Sequence, residues 1–278
     1  MSIRMSSLRR VGLIAENTFQ EALRQRFLAI LLGVAAAMAG GALFGREFSF
    51  GSSQLKFLTD VGLGALTFFG AILAIVAPAQ LLFGDLERRT VLTVLAKPVT
   101  RAEFIVGKLG GVLLLLAVFC TALTALLVGL LAGCRTGASA FQPDVSDPGR
   151  MATLGGIVLG GLVAWLKLGV VAAFTLSVAS YARSGLLAMM AGFVALLACE
   201  LQYLARDFYG LMESSWARAG VWLLGVMVPE FAAFNVSGRV AAGEGLSLGL
   251  VGGLALYALA YMAVFGGLAV YGFRHREL

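Results

Sequence analysis

Long uninterrupted apolar runs dominate the hydropathy pattern of this chain, and short clusters of charge separate them. The runs fall at about 27–45, 61–84, 109–133, 155–180, 185–204 and 246–273. Each is close to or longer than the ~20 apolar residues that carry an α-helix across a ~30 Å hydrocarbon core. The pattern predicts an all-α polytopic membrane protein: six transmembrane helices in a single transmembrane domain, 1–278. A transmembrane β-barrel is excluded, because its strands alternate apolar and polar residues in ~10-residue segments. Only Tyr181, Ala182, Arg183 and Ser184 separate the fourth run from the fifth, so these two helices form a tight antiparallel hairpin.

Two segments depart from the pattern. In 7–26, Leu8, Val11, Ala15, Phe19 and Ala22 recur at steps of three or four, and Leu23 and Phe27 continue the face. Arg9, Arg10, Glu16, Gln20, Arg24 and Gln25 lie largely off it. One-sided helical periodicity with arginines, abutting a span, predicts an N-terminal interfacial helix in the headgroup layer. The stretch 219–235 is apolar but interrupted by Pro229 and Glu230. Apolar pieces of 10–14 residues favour a re-entrant or interfacial segment over a crossing, here extracytoplasmic and just before the last span.

Composition sharpens this. Hydrophobic residues make up 60% of the chain and charged ones 13%, against roughly 25% charged in soluble domains. Mean hydropathy is +0.93, which leaves no room for a sizeable soluble domain. The net charge of +6 is informative through its location. With six spans and a cytoplasmic N-terminus, thirteen of the 21 lysines and arginines fall in cytoplasmic pieces, seven outside, and Lys167 within a span. That bias sets orientation and makes both termini cytoplasmic; a seventh crossing would move Arg274 and Arg276 outside. The charge therefore orients a membrane protein and does not indicate nucleic acid. Arg9 and Arg10 lead into a mixed segment, so the N-terminus does not read as a cleavable signal peptide.

Candidate chemistry is sparse. The sequence has no GxxxxGK[ST] phosphate loop and no HExxH. Cys120 and Cys199 lie inside apolar runs and read as small buried hydrophobes; Cys134 falls at the end of one. The single histidine, His275, argues against a histidine-built metal site or triad. The 36 glycines sit mostly within apolar runs, where they let helix backbones approach closely. Few acidic residues lie near membrane depth; Asp60 and Glu200 are the notable ones. Lys167 is the one clear ionisable residue within a run, at a cost of roughly 2.5–3.5 kcal/mol on insertion scales. It precedes the cytoplasmic turn at Tyr181 by fourteen residues, or ~21 Å along a helix, which places it in the outer half of the core. Two roles stay open for it: a snorkelling anchor, or a contact on a substrate or ion pathway.

The segment 85–108 is the longest charged stretch between spans. Thr90 through Ala96 predicts a short helix, which Pro98 ends because the residue before proline avoids the α region. Thr100 then caps the next helix, with Glu103 three residues on completing a capping box.

At its two ends this segment resembles the permease subunits of type-2 ABC exporters. The matching residues are Glu87 and Thr90, Pro98-Val99-Thr100-Arg101, and Gly107-Lys108. Arg89 stands where the family usually has glycine. Asn17-Thr18-Phe19 and Leu23-Arg24 are similar to its membrane-skimming helix, and 228–235 to the extracytoplasmic segment before its last span, so the resemblance covers nearly the whole chain. It implies one half of a dimeric pathway, paired with a second copy or a homologous permease in a cell membrane, the bacterial inner membrane. It also implies docking on a separate ABC ATPase subunit, which would bind the ATP and magnesium; this chain would carry no cofactor and would not itself be the enzyme. The coupling contact would be Glu87, Arg88, Arg89, Thr90, Pro98 and Arg101. Two other readings remain: a secondary transporter or channel, which would want paired ionisable residues at the midplane and repeat symmetry, and an intramembrane enzyme or assembly factor.

Overall fold

The computed structural model describes residues 7–41, 54–87, 100–136, 149–209, 229–241 and 246–275. Among these the chain is helical throughout, without a strand. The elements are α1 (Ser7–Leu23), α2 (Arg26–Gly41), α3 (Gln54–Glu87), α4 (Arg101–Thr136), α5 (Gly149–Tyr181) and α6 (Gly185–Tyr209). A 3-10 turn at Phe231–Phe234, a short α7 (Ser237–Ala241) and α8 (Leu248–Arg274) complete them. Five helices, α3 to α6 and α8, are long and apolar enough to cross a membrane. A sixth crossing is counted if α1 and α2, which meet at 65°, are taken as one bent span. The expected first span at 27–45 corresponds to the 16-residue α2.

Several helices outrun the apolar runs that announced them. The 34 residues of α3 continue through Pro78 to Glu87, and the 36 of α4 begin at Arg101. At 1.5 Å per residue both are about 50 Å long, well beyond a ~30 Å core, so their charged ends stand clear of it. Glu87, Arg101, Ala102, Glu103 and Lys108, good helix formers, fall on the extensions past the greasy part. The loop expected at 134–150 is likewise invaded by helix from both sides.

The centre of the bundle is α5. In its most apolar window 72% of residues are buried inside the chain, against 22% for α6 and 17% for α8. It packs on α8, α3, α4 and α6, and the Trp165 indole N–H donates to the Leu113 carbonyl of α4 at 3.0 Å. The expected hairpin between α5 and α6 is present: Ala182 N–H closes the end of α5 onto Val178, and the Ser184 hydroxyl caps α6 by accepting from Leu187 N–H at 3.3 Å.

At the other end the re-entrant expectation of 219–235 is described only from Pro229 onward. There the 3-10 turn is plugged into the bundle, with Phe231 and Phe234 both buried. The Glu230 N–H donates to the Tyr257 hydroxyl of α8 at 2.9 Å.

Helix α1 is docked on a face that keeps Val11, Ala15 and Ala22 of the one the periodicity suggested and turns away from Leu8. Leu8 is 85% exposed. The side that meets α4 instead holds Val11, Ile14, Ala15, Thr18 and Ala22. The reason lies on α4. A Cβ at Gly107 would sit 2.7 Å from the Ile14 Cβ, and one at Gly111 would sit 2.6 Å from the Thr18 Cβ and 2.8 Å from the Ala15 carbonyl. Only glycine at these two positions lets the helices close to that distance.

A charged base under α4 and an ion pair at membrane depth

The expected coupling segment is described at its shoulders. Arg88, Arg89, Thr90 and Pro98, with the short helix expected at 90–96, lie outside the described residues. Glu87 is the exposed last residue of α3. On the far shoulder both halves of the capping box are present. Glu103 N–H donates to the Thr100 hydroxyl at 3.2 Å, and Thr100 N–H donates to the Glu103 carboxylate at 2.9 Å. The geometry satisfies two amides that a helix start leaves without intrahelical partners.

The same carboxylate reaches α1. The Ser7 hydroxyl donates to it, and Arg10 forks onto it with Nη2 at 2.7 Å and Nε at 3.2 Å. The Ser7 hydroxyl first, then the Thr100 N–H and Arg10, pull the Glu103 carboxyl down from 4.5 to about 2. It lies ahead of the apolar run of α4 and stays ionised at any physiological pH.

One turn on, Lys108 is buried, with 3% of its side chain exposed. Its ammonium holds Asp85 of α3 at 2.5 Å, donates to the Leu81 carbonyl at 2.9 Å and lies 3.9 Å from Glu21 of α1. Arg101 closes a third connection: its guanidinium donates to the carbonyls of Phe273 and Arg274 at 3.3 and 2.8 Å, as a cation does at a helix C-terminus. Phe104 stacks on Phe273 beneath it, with ring centroids 5.6 Å apart. The first turns of α4 thus fasten α1, the end of α3 and the end of α8 to one another. The sequence reading assigned Arg101 to a partner's charge; in the structure its guanidinium caps α8. Lys108, Glu103, Asp85 and Glu21 were not singled out as site residues, although Gly107-Lys108 was noted as a motif.

Lys167 is only 8% exposed and is ion-paired with Glu200 of α6. Its ammonium also lies 5.3 Å from the centroid of the Phe231 ring, within cation–π range. Pairing inside the bundle, and not snorkelling, satisfies it. Around the pair is a polar cavity of about 170 Å³, lined among others by Thr67, Asn235 and Ser237. On the other side of Phe231 lies an apolar cavity of about 160 Å³, lined by Phe174, Ala195, Leu196, Cys199, Pro229 and Phe265 among others. A signal for Glu200 was in the sequence: it follows Gly185 by fifteen residues, as Lys167 precedes Tyr181 by fourteen. In an antiparallel hairpin those counts put both at the same height.

The sequence model of the family described as ABC-2 family transporter protein matches residues 2–278. No curated protein matches the chain. A paired ionisable couple is one of the two features a secondary transporter was expected to show, but a family match over nearly every residue overrides that reading and the enzyme reading with it. The chain belongs to the ABC-2 transporter family: it is a multi-pass membrane protein and the permease of an ABC transporter.

Proposed function

We propose that this permease is half of an ATP-driven exporter, working as a dimer with a second copy or a homologous permease in the bacterial inner membrane. It couples to a separate ABC ATPase, which binds the ATP and magnesium, through 85–108 on the cytoplasmic side. Both termini share that side, α1 lies in the headgroup layer, and 219–235 folds back from the opposite face. The observation that carries the coupling proposal is the charged base at the first turns of α4. A docking segment transmits motion only if its ends are rigidly joined to the helices that must move. Here the exit of the segment is tied to α1 through Glu103, to α3 and α1 through Lys108, and to α8 through Arg101. A push on the segment is thereby delivered to several helices at once.

Glu87 is the exposed charge at the entry to the segment, so its reversal tests the contact without disturbing the base. Truncating one partner of a buried interfacial charge pair costs about 2–5 kcal/mol. Glu87→Lys should therefore reduce copurification of the ATPase with the tagged permease at least tenfold and lower transport-coupled hydrolysis in proteoliposomes. Arg150→Glu, placed on the opposite side, should change neither. Unchanged copurification and hydrolysis with Glu87→Lys would remove this segment from the ATPase contact.

A further inference from the structure

The two cavities differ in character, and residues of one short turn line both. Phe231 lines the apolar one and offers its ring to Lys167; Phe234, in the same turn, lines the polar one. On α6 the division falls between consecutive residues, Cys199 on the apolar side and Glu200 on the polar side. We propose that together they form one lateral binding site for a zwitterionic phospholipid of the ethanolamine type, with an acyl chain in the apolar cavity and the headgroup at Lys167 and Glu200.

Charge complementarity selects the occupant. The polar cavity presents a fixed cation and a fixed anion side by side, with the Asn235 and Ser237 side chains beside them. A phosphoethanolamine group carries the matching pair, a phosphate for Lys167 and an ammonium for Glu200. An anionic headgroup would satisfy Lys167 but bring like charge against Glu200. A headgroup without charge would leave both ions with nothing to exchange for their own pairing.

Access is from the flank of the bundle. Glu200 keeps 42% of its side chain exposed, on a helix whose neighbouring Phe193, Val194, Leu197 and Leu201 face outward. A half-exposed carboxylate among outward apolar side chains at this depth is expensive unless something covers it, and the lipid ammonium does so. Lys167 supplies the second half of the recognition from inside, where its burial and the Phe231 ring hold it in place. The site lies away from the charged base and requires no ATPase, so it stands or falls independently of the coupling proposal.

The test uses the full-length permease purified in detergent, titrated with phosphatidylethanolamine or phosphatidylglycerol of identical acyl chains and read by native mass spectrometry. The wild type should retain the ethanolamine lipid about tenfold more strongly, the ratio that one charge-assisted hydrogen bond commands. Glu200→Gln keeps an acceptor for Lys167 at a half-exposed position, so folding is not at stake; it should level the two lipids. Ala195→Phe fills the apolar cavity and should weaken retention of both. Equal retention by the wild type overturns the proposal, as does a preference that survives Glu200→Gln. Retention of both lipids left unchanged by Ala195→Phe overturns the joining of the two cavities into one site.

Discussion

Two buried lysines answer the same problem differently. Lys108, at the charged base, has carboxylates on two helices and a backbone carbonyl around its ammonium. Of the three N–H donors of an ammonium, Asp85 and the Leu81 carbonyl take two, and Glu21 adds its charge from 3.9 Å. Lys167, at membrane depth, has one carboxylate and the face of an aromatic ring. The carboxylates around Lys108 are more enclosed, with Asp85 17% and Glu21 30% exposed, than Glu200 at 42%. The first arrangement is closed and joins three segments of chain. The second is half open, joins two neighbouring helices of a hairpin, and leaves donors that can take another partner. Burial alone therefore does not say what a membrane lysine does; the number and exposure of its acceptors do.

The comparison breaks if the two sites respond alike to loss of charge. Lys108→Met removes the ammonium from Asp85, Glu21 and the Leu81 carbonyl. Removing one member of a buried ionic cluster costs about 3–5 kcal/mol, so the variant should show a large fall in thermal stability in detergent. Asp85→Met added to it should not restore the wild-type melting point, because the links of Lys108 to Glu21 and to the Leu81 carbonyl are still lost. Lys167→Met should cost less, about 1–2 kcal/mol, since Glu200 is half exposed. In contrast to the base, the double variant Lys167→Met/Glu200→Met should return to wild-type stability or exceed it, as apolar replacements of ion pairs often do. Melting curves of the single and double variants decide both points.

The smallest effect expected is one of acidity, and it sharpens the account of the base. The Glu103 carboxyl is depressed in the folded chain, so its contribution is complete above the ordinary carboxylate value of 4.5 and fades as pH falls toward about 2. Detachment of α1, followed by proteolysis or by a probe on Ser7, should increase over that window. Glu103→Gln should show the detachment already at neutral pH, with a flatter acid dependence.

How much of this was legible in the sequence depends on whether the signal is local. Five of the six spans, the α5–α6 hairpin and the Thr100–Glu103 cap are written within a few residues, by hydrophobic run length or by i, i+3 spacing, and the structure carries them. The docking face of α1 was only half legible. The periodicity admitted Leu8, but the glycines at 107 and 111, about ninety residues away, decided in favour of Ile14 and Thr18. The roles of Lys108 and Arg101 were not legible, because their partners Asp85, Glu21 and the end of α8 come from three separate elements whose rotation no single segment sets. The contact of Arg101 with the end of α8 has no local signature, because its acceptors lie more than 170 residues away.

Arg101 also bears on the order in which this molecule is completed. A ribosome delivers α1, α3 and α4 early, and with them every member of the Glu103 and Lys108 clusters. The carbonyls of Phe273 and Arg274 emerge more than 160 residues later, with α8. Until α8 has been threaded into the bilayer and its end returned to the same surface, the Arg101 guanidinium and the face of Phe104 wait without their final contacts. Closure of that contact therefore depends on α8, and it occurs beside the segment proposed to receive the ATPase. Until α8 is in place, that segment would stand on an incomplete footing.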